Sequence, residues 1–454
     1  MNDTRTGLRQ AIGLTRATAM VIGTIIGASI FVQPSLVSGA VPSVTGMLLV
    51  WAVAGVLTLI GALVTAELAS AFPGTGGVYI FLRESYSPAV AFLWCWAMFW
   101  SMHTGIVAAI ATVCARYVAF FVPLGDVGVK VVAIAAILIL SAVNYVGVRH
   151  GTALQTAFTV VKVAAVILIA LAGFTAIGSA PASSAPASST PGAAPADVVP
   201  PLRAFVTATV AGLFAFGGWH MVTYTGDETV DARRTIPRAL MIGTLVVTAS
   251  YIAVNAAYLV VLSPAAVAAS NRVAADFADR VLGSGGAAAM SALVVLSTLG
   301  AMTGIILTGP RVYLAAAQDG LLVRWIGDVH PRFGTPHHAI ALQAVWASVL
   351  VGTGTYRALF TRVVYTEWIF FGLMAAGIFI LRRREGYAPA YRAWGYPVLP
   401  VLFIVSTAFI VVNQLMSDPR ESAMGLLMVL AGLPVYFFRA ARRTSPRTIA
   451  NADS

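Results

Sequence analysis

Charged residues are scarce in this chain of 454 residues, because Asp, Glu, Lys and Arg together make up only 10% of it. A soluble domain carries about 25% charged residues, so a water-exposed surface of this size is excluded. Cysteine is scarcer still: Cys95 and Cys114 lie in one apolar block, and no disulfide framework is expected. The sequence also lacks an HExxH motif, a Walker-type phosphate loop and a CxxC pair, so we expect neither an enzyme nor a cofactor.

The hydrophobic residues, 59% of the chain, come in blocks of about 20, the length with which a helix crosses a bilayer. The sequence therefore predicts an all-α polytopic membrane protein with about twelve transmembrane helices. The first predicted span covers residues 15–38 and the sixth covers residues 203–230. The first block runs past the length of a signal peptide, so we interpret it as a retained helix.

The net charge of +11 does not indicate a nucleic-acid partner, because the basic residues lie at the ends of the apolar blocks and not in a patch with interleaved aromatic residues. Alternate loops are rich in arginine, as the positive-inside rule describes for cytoplasmic loops. We therefore predict a multi-pass protein of the inner membrane with both termini in the cytoplasm. Arginines that carry this prediction include Arg233, Arg234, Arg382, Arg383 and Arg384.

The predicted spans divide the chain into six parts. Residues 177–202 are rich in Ala, Pro and Ser, a composition typical of a flexible external linker. The parts are a cytoplasmic tail (1–14), a first five-helix repeat (15–176), the external loop (177–202), a second five-helix repeat (203–382), helices eleven and twelve (396–438) and a cytoplasmic tail (439–454).

Two spans carry small residues near their middle, at 23–31 in the first and 214–220 in the sixth. Glycine costs about 1 kcal/mol relative to alanine within a helix, so both spans are predicted to unwind there. Unpaired peptide groups are tolerated at membrane depth only where they line a protein-walled cavity. The N–H groups of one half-helix suit a carboxylate and the carbonyls of the other suit an ammonium group. The alternative is that these glycines only permit close helix packing.

Lysine is nearly absent, since Lys130 and Lys162 are the only two in the chain. Lys130 lies at a helix end, where a cation is ordinary. Lys162 lies about ten residues into the fifth span, which places it ~15 Å deep. A cation at that depth costs at least about 2.5–3.5 kcal/mol, and such residues are functional candidates by default. Lys162 could serve as an internal cation in place of a metal ion or as a proton carrier, and the alternative is a structural anchor.

Other intramembrane polar residues give weaker signals. Glu67 and Glu228 lie near cytoplasmic helix ends, where they could close an inner gate with arginines or remain solvated. Glu367 could be a packing contact or a proton site. His103 and His220 are expected to be polar linings with satisfied hydrogen bonds, and the alternative is that they carry protons. Trp219 is a candidate gate, although packing is the more ordinary role of a buried tryptophan.

Several segments, in order along nearly the whole chain, resemble the amino acid–polyamine–organocation superfamily, and within it the L-type amino acid transporter-like branch. Two of these segments lie at the glycine clusters: Gly23 to Phe31 with Pro34, and Phe214 to Trp219, which is similar to the family's F-A-Y-G-G-W. The others are 66–79, Glu228 with 233–239, Arg311, Asp319-Gly320, His330-Pro331, Thr335-Pro336 and Gly395-Tyr396-Pro397.

The resemblance implies a five-plus-five inverted-repeat (LeuT-like) fold with two extra C-terminal helices, and alternating access around a central amino acid. It implies that Phe214 closes over the substrate as an aromatic gate with Trp219 beside it, and that Lys162 replaces the sodium ion of sodium-coupled relatives. The substrate-binding residues that it implies are Ile25, Gly27, Ala28, Ser29, Phe214, Gly217 and Gly218.

This sequence departs from the family pattern at two places. Ala28-Ser29 stands where the family has Ser-Gly, which changes the lining of the carboxylate pocket, and His220 stands where the family has Asn, which adds a titratable donor. The predicted function is sodium-independent amino-acid transport, by exchange or by proton coupling, with a small-molecule amino acid and the lipid bilayer as partners and any partner subunit unknown. The alternatives are a polyamine or organic-cation permease and a non-transporting membrane sensor.

Overall fold

The computed structural model describes residues 7–27, 29–175, 201–270, 272–283, 285–354 and 356–444. Over these ranges the chain is built from helices, with isolated β-bridges but no strand. The helices are α1 (Leu14–Ile25), α2 (Ser29–Ala40), α3 (Val44–Ala71), α4 (Val78–Ser85), α5 (Pro88–Ala97), α6 (His103–Val118), α7 (Asp126–Val146), α8 (Val148–Thr175), α9 (Leu202–Ala215), α10 (Ala232–Val261), α11 (Pro264–Ala269), α12 (Val273–Leu282), α13 (Gly286–Gln318), α14 (His337–Thr353), α15 (Tyr356–Leu381), α16 (Val398–Ser417), α17 (Pro419–Leu430) and α18 (Gly432–Thr444).

This is a multi-pass membrane protein, as the sequence predicts. Within the described ranges, 9 helical segments are long and apolar enough to span a bilayer, and α1 with α2 would make 10 if they form one bent span. The ninth predicted span, α14, has 17 residues, which is the lower limit for crossing. The total of about twelve spans and the inverted repeat stay predictions.

Apolar side chains face outward on several helices. On α16, Val401, Val405 and Val412 are 47%, 59% and 51% exposed, while Phe403 and Ile410 on the same helix are buried. In water such an apolar outer face would be unfavourable, but lipid chains are as apolar as these side chains. The packing therefore matches a bilayer as the solvent.

The first and sixth spans are interrupted, as the glycine clusters predict. α1 ends at Ile25 and α2 begins at Ser29, with an angle of 46° between the two helices. α9 ends at Ala215, and a 3-10 helix, Trp219–Tyr224, follows Gly218. The two interruptions lie together because α2 packs against α9 and α1 contacts the 3-10 helix.

Three further helices enclose the interrupted spans. α8, which carries Lys162, packs against α1, α10 and α13, and α10 packs along α1 and α3.

Residues 176–200, most of the predicted external loop, lie outside the described part of the chain, as does most of the predicted tail 439–454. The division into repeats at 15–176 and 203–382 stays a prediction.

Candidate functional site

The first interruption leaves carbonyl groups without helical partners, and side chains from other helices bond to them. Lys162 on α8 donates from Nζ to the carbonyl oxygens of Gly23 at 2.9 Å and Ile26 at 2.7 Å. Ser297 on α13 donates from Oγ to the carbonyl of Gly27 at 3.2 Å. The end of α1 is therefore held by donors from two different helices.

Lys162 is 1% exposed, so its ammonium group is fully enclosed by protein. Charge-assisted hydrogen bonds to the two carbonyls offset part of the cost of removing this cation from water. The space around it is narrow, since a Cβ atom at Gly300 would lie 2.7 Å from Cβ of Phe158, 2.8 Å from Lys162 Cε and 3.0 Å from Nζ. The glycine on α13 thus makes room for the lysine on α8.

The sixth span is interrupted at Gly217 and Gly218. The N–H of Gly217 bonds to the carbonyl of Phe214 at 3.3 Å, which closes the last turn of α9. Gly218 has a φ of 95°, a left-handed conformation that other residues adopt with difficulty. A side chain there would also approach the carbonyl of Thr24 to 3.3 Å, so backbone contact between the two interrupted spans requires glycine.

Tyr251 on α10 joins the two interrupted spans. Its hydroxyl lies 3.1 Å from the carbonyl of Ile25 and 2.9 Å from that of Ala215, the last residues of α1 and α9. Since a hydroxyl carries one hydrogen, it serves both acceptors in a shared or alternating bond. The hydroxyl of Thr24 lies 2.7 Å from the carbonyl of Met20 in its own helix and 3.2 Å from the carbonyl of Gly218, so it adds a weaker, shared link between the two spans.

The residues implied as substrate ligands lie around these two interruptions. Ile25 and Gly27 are buried at the end of α1, and Ser29 is half-buried as the first residue of α2. Phe214 is half-buried, and Gly217 is exposed. Gly218 is buried, and Ala28 lies outside the described residues. The structure therefore brings the described members of the predicted site together.

Trp219, the second candidate gate, is 3% exposed and packed among aromatic rings. Its ring lies 5.3 Å from that of Phe371 and 6.5 Å from that of Phe403. This packing is the ordinary role of a buried tryptophan, and a gating role for Trp219 stays a prediction.

Tyr251, Ser297 and Gly300 are not predicted from the sequence. Each occupies an apolar helix in which one hydroxyl or one glycine is an unremarkable residue. A buried tyrosine hydroxyl needs a partner, so Tyr251 gave a signal that something polar faces α10. The identity of that partner depends on how α10 packs against α1, which periodicity does not specify.

Two glutamates form ion pairs at the arginine-rich side of the protein. Glu228 and Arg311 are both 0% exposed, with Nε–Oε2 and Nη2–Oε1 distances of 2.9 and 2.7 Å. Glu67 accepts hydrogen bonds from Arg382 at 2.8 and 2.6 Å and from the backbone N–H of Ala393 at 2.6 Å. The sequence leaves open whether Glu67 and Glu228 pair with arginines or remain solvated. The structure shows ion pairs for both, and the burial of the two carboxylates excludes solvation.

These bonds affect titration at the end of α15. The hydrogen bonds to Glu67 raise the pKa of the Arg382 guanidinium, although partial burial acts in the opposite direction. Burial, with the nearby charge of Glu67, raises the pKa of the Tyr387 hydroxyl. Both side chains therefore keep their protons across the physiological range, and Arg382 stays a cation beside Glu67.

Gly300 gives a first prediction. Its replacement by alanine is expected to displace the Lys162 ammonium and to lower the transport rate about tenfold, since overpacking costs about 1–3 kcal/mol. The matched control is Gly39→Ala on α2, where an added Cβ meets no atom within 4 Å. Initial rates in proteoliposomes measure both, and equal rates for the two variants would show that the ammonium tolerates displacement.

Comparison with known proteins places the chain among membrane carriers. Residues 12–437 match the family model described as amino acid permease. The human large neutral amino acids transporter small subunit 2 is 31% identical over 450 residues, which cover 98% of this chain and 83% of that protein. The serine/threonine exchanger SteT of Bacillus subtilis (strain 168) is 31% identical over 461 residues, with 98% and 100% covered. The human b(0,+)-type amino acid transporter 1 is 32% identical over 439 residues, with 95% and 88% covered.

Proposed function

Because this chain belongs to the amino acid permease family, we propose that it carries amino acids across a membrane by alternating access, without sodium. The bonding of Lys162 is the observation that carries the proposal. In carriers with broken helices, unwound carbonyls coordinate a sodium ion. Here an ammonium group occupies the carbonyls of Gly23 and Ile26, so the positive charge at that place is part of the protein.

The proposed substrate site lies between the two interruptions. The substrate carboxylate meets the backbone N–H groups at 27–29, at the start of α2, where the helix dipole favours an anion. The substrate amine meets the carbonyls of Phe214 and Gly217. The carbonyl of Ile25 also lines the site of the amine, and the hydroxyl of Tyr251 lies against that carbonyl. Phe214 closes over the bound amino acid.

We propose that the Glu67–Arg382 pair closes the cytoplasmic side in this conformation. The pair links α3 to the end of α15, and Arg382 also lies over the ring of Tyr396 at 3.8 Å. Opening toward the cytoplasm then requires these contacts to break. Both termini are proposed to lie in the cytoplasm and the protein in the inner membrane, on the distribution of arginine.

Of the three relatives described, one has a name that suggests a partner subunit. The human relative is named as a small subunit, whereas the Bacillus subtilis relative is named simply as an exchanger. Lys162 and Tyr251, the donors that hold the end of α1, belong to the same chain as the carbonyls that they bind. We propose that the transport pathway lies within one copy of this chain.

Uptake by purified protein in proteoliposomes tests the function. Labelled serine, threonine, leucine and lysine are offered outside vesicles that contain or lack unlabelled amino acid, in sodium buffer or in choline buffer. We expect at least one amino acid to be taken up faster with internal substrate and at equal rates in the two buffers. Protein-free vesicles give the background. A strict need for sodium would contradict the role assigned to Lys162.

A further inference from the structure

A second pair of ionisable groups lies beside the interrupted sixth span. His220 belongs to the 3-10 helix that follows Gly218, and Glu367 lies on α15. The Nε2 atom of His220 is 3.6 Å from Oε1 of Glu367, and the two side chains are 0% and 12% exposed. A carboxyl group at this depth is costly unless it is neutralised or paired.

This pair differs in kind from the other buried carboxylates. Glu67 and Glu228 are each paired with an arginine, which stays protonated under all ordinary conditions. Among the described residues, the group that faces the carboxylate of Glu367 is the imidazole of His220, which exists in a neutral and a protonated form. The net charge of the pair His220–Glu367 can therefore change during a transport cycle, whereas the arginines of the other two pairs do not release their protons.

The hydrogen-bonding state of His220 also indicates an exchangeable proton. Neither Nδ1 nor Nε2 of His220 has a hydrogen-bond partner within the described ranges, and the same holds for Nε2 of His103. The ring of Tyr224 lies 5.5 Å from that of His220 and 5.7 Å from that of His103. Buried polar groups without partners are unusual in a structural core, and both ring nitrogens of His220 are in this state beside the carboxyl group of Glu367.

The titratable and charged groups around the pair come from each element that packs against α15 or His220. Nearest are those on α6, the 3-10 helix and α13, and the rest lie toward the ends of α15. The near groups are His103, Tyr224 and Tyr313. The hydroxyl of Tyr313 lies 3.4 Å from Nδ1 of His103. The distant groups are Glu67 and Arg382 at the cytoplasmic end, Tyr86, which bonds to the carbonyl of Leu373, and Arg420 and Glu421 on α17.

From this geometry we infer that His220 and Glu367 form a proton-binding site that couples proton movement to amino acid transport. The inference rests on the proposed function and selects proton coupling from the two modes, exchange and proton coupling, that the sequence leaves open. A proton from the outer solution binds to the pair, and its release on the inner side restores the starting charge. Because His220 lies two residues after Gly218 in the sixth span, the base belongs to the same interrupted span as Phe214, which closes over the substrate.

Accumulation driven by a pH gradient is the decisive measurement. Vesicles with the full-length protein are given an outer solution one pH unit more acidic than the interior, with a labelled amino acid that the exchange assay has identified as a substrate. One co-transported proton allows accumulation of up to about tenfold per unit of pH. Glu367→Gln is expected to lower the ratio of accumulation to exchange about tenfold, because the amide binds no proton. A pH-sensitive dye inside the vesicles records the proton itself.

Two variants make this test specific. Glu385→Gln removes an exposed carboxyl group after the same helix and is expected to leave the ratio unchanged. Glu367→Asp keeps an acid with a shorter side chain and is expected to retain part of the coupling, which a purely structural contact would not predict. Thermal unfolding in detergent verifies that each variant is folded.

Three results would overturn the inference, and one of them would also overturn the proposed transport function. Wild-type exchange without gradient-driven accumulation overturns the inference while the proposed transport function stands. Loss of both exchange and accumulation for the wild type overturns the two together. Selective loss of lysine exchange in Glu367→Gln, with gradient-driven accumulation of neutral amino acids retained, overturns the inference by showing that the carboxylate is a counter-charge for cationic substrates.

Discussion

Replacement of Lys162 by alanine is expected to abolish transport while the protein stays in the membrane. The substitution removes two charge-assisted hydrogen bonds, to Gly23 and Ile26, each of which contributes about 1.5–3 kcal/mol. It leaves two buried carbonyls without donors and removes the cation beside the interruption of α1. We expect uptake in proteoliposomes to fall at least about tenfold, since 1.36 kcal/mol corresponds to a factor of ten.

Lys130 is the matched control, because it is the other lysine and also bonds to a backbone carbonyl, that of Gly352 at 2.8 Å. Its site is exposed at a helix end, so Lys130→Ala is expected to keep uptake within about twofold, consistent with small effects of surface changes. Lys162→Arg should not restore activity, since a planar guanidinium is larger than the compact ammonium that bonds to the carbonyls of Gly23 and Ile26. Uptake by Lys162→Ala at the level of Lys130→Ala would refute the role of the cation.

Loss of the buried pair Glu228–Arg311 is expected to cause the largest change in stability. Arg311→Leu leaves the carboxylate of Glu228 buried and uncompensated, at a cost of about 3–5 kcal/mol. We expect a marked fall in the unfolding temperature in detergent and a low yield of folded protein. The double variant Glu228→Leu with Arg311→Leu should recover part of this loss, because no unpaired charge remains.

A half-exposed pair serves as the comparison. Arg83 and Glu84 are 29% and 33% exposed and lie 2.8 Å apart. Exposed pairs contribute about 0–1 kcal/mol, so Glu84→Gln is expected to change the unfolding temperature little. An Arg311→Leu variant as stable as Glu84→Gln would show that the buried pair contributes no more than a surface pair.

Much of the membrane architecture could be predicted from the sequence. The length of the apolar blocks, the scarcity of charge and the glycine clusters at 23–31 and 214–220 indicate interrupted membrane helices, and the structure has interruptions at both places. Lys162 was a candidate because an ionisable side chain at that depth is costly wherever it points. These signals are local, since each depends on composition within a single span.

The partners of these residues were decided only by the tertiary structure. Tyr251 on α10 reaches the ends of both α1 and α9, and Gly300 on α13 leaves room for Lys162 on α8, because of how these five helices pack against one another. The sequence showed Glu367 and His220 as separate polar residues 147 positions apart by their numbers, and packing brings them to 3.6 Å. Burial cost is a property of one residue, which the sequence determines, whereas neutralisation of that cost depends on distances between spans, which only the assembled helices determine.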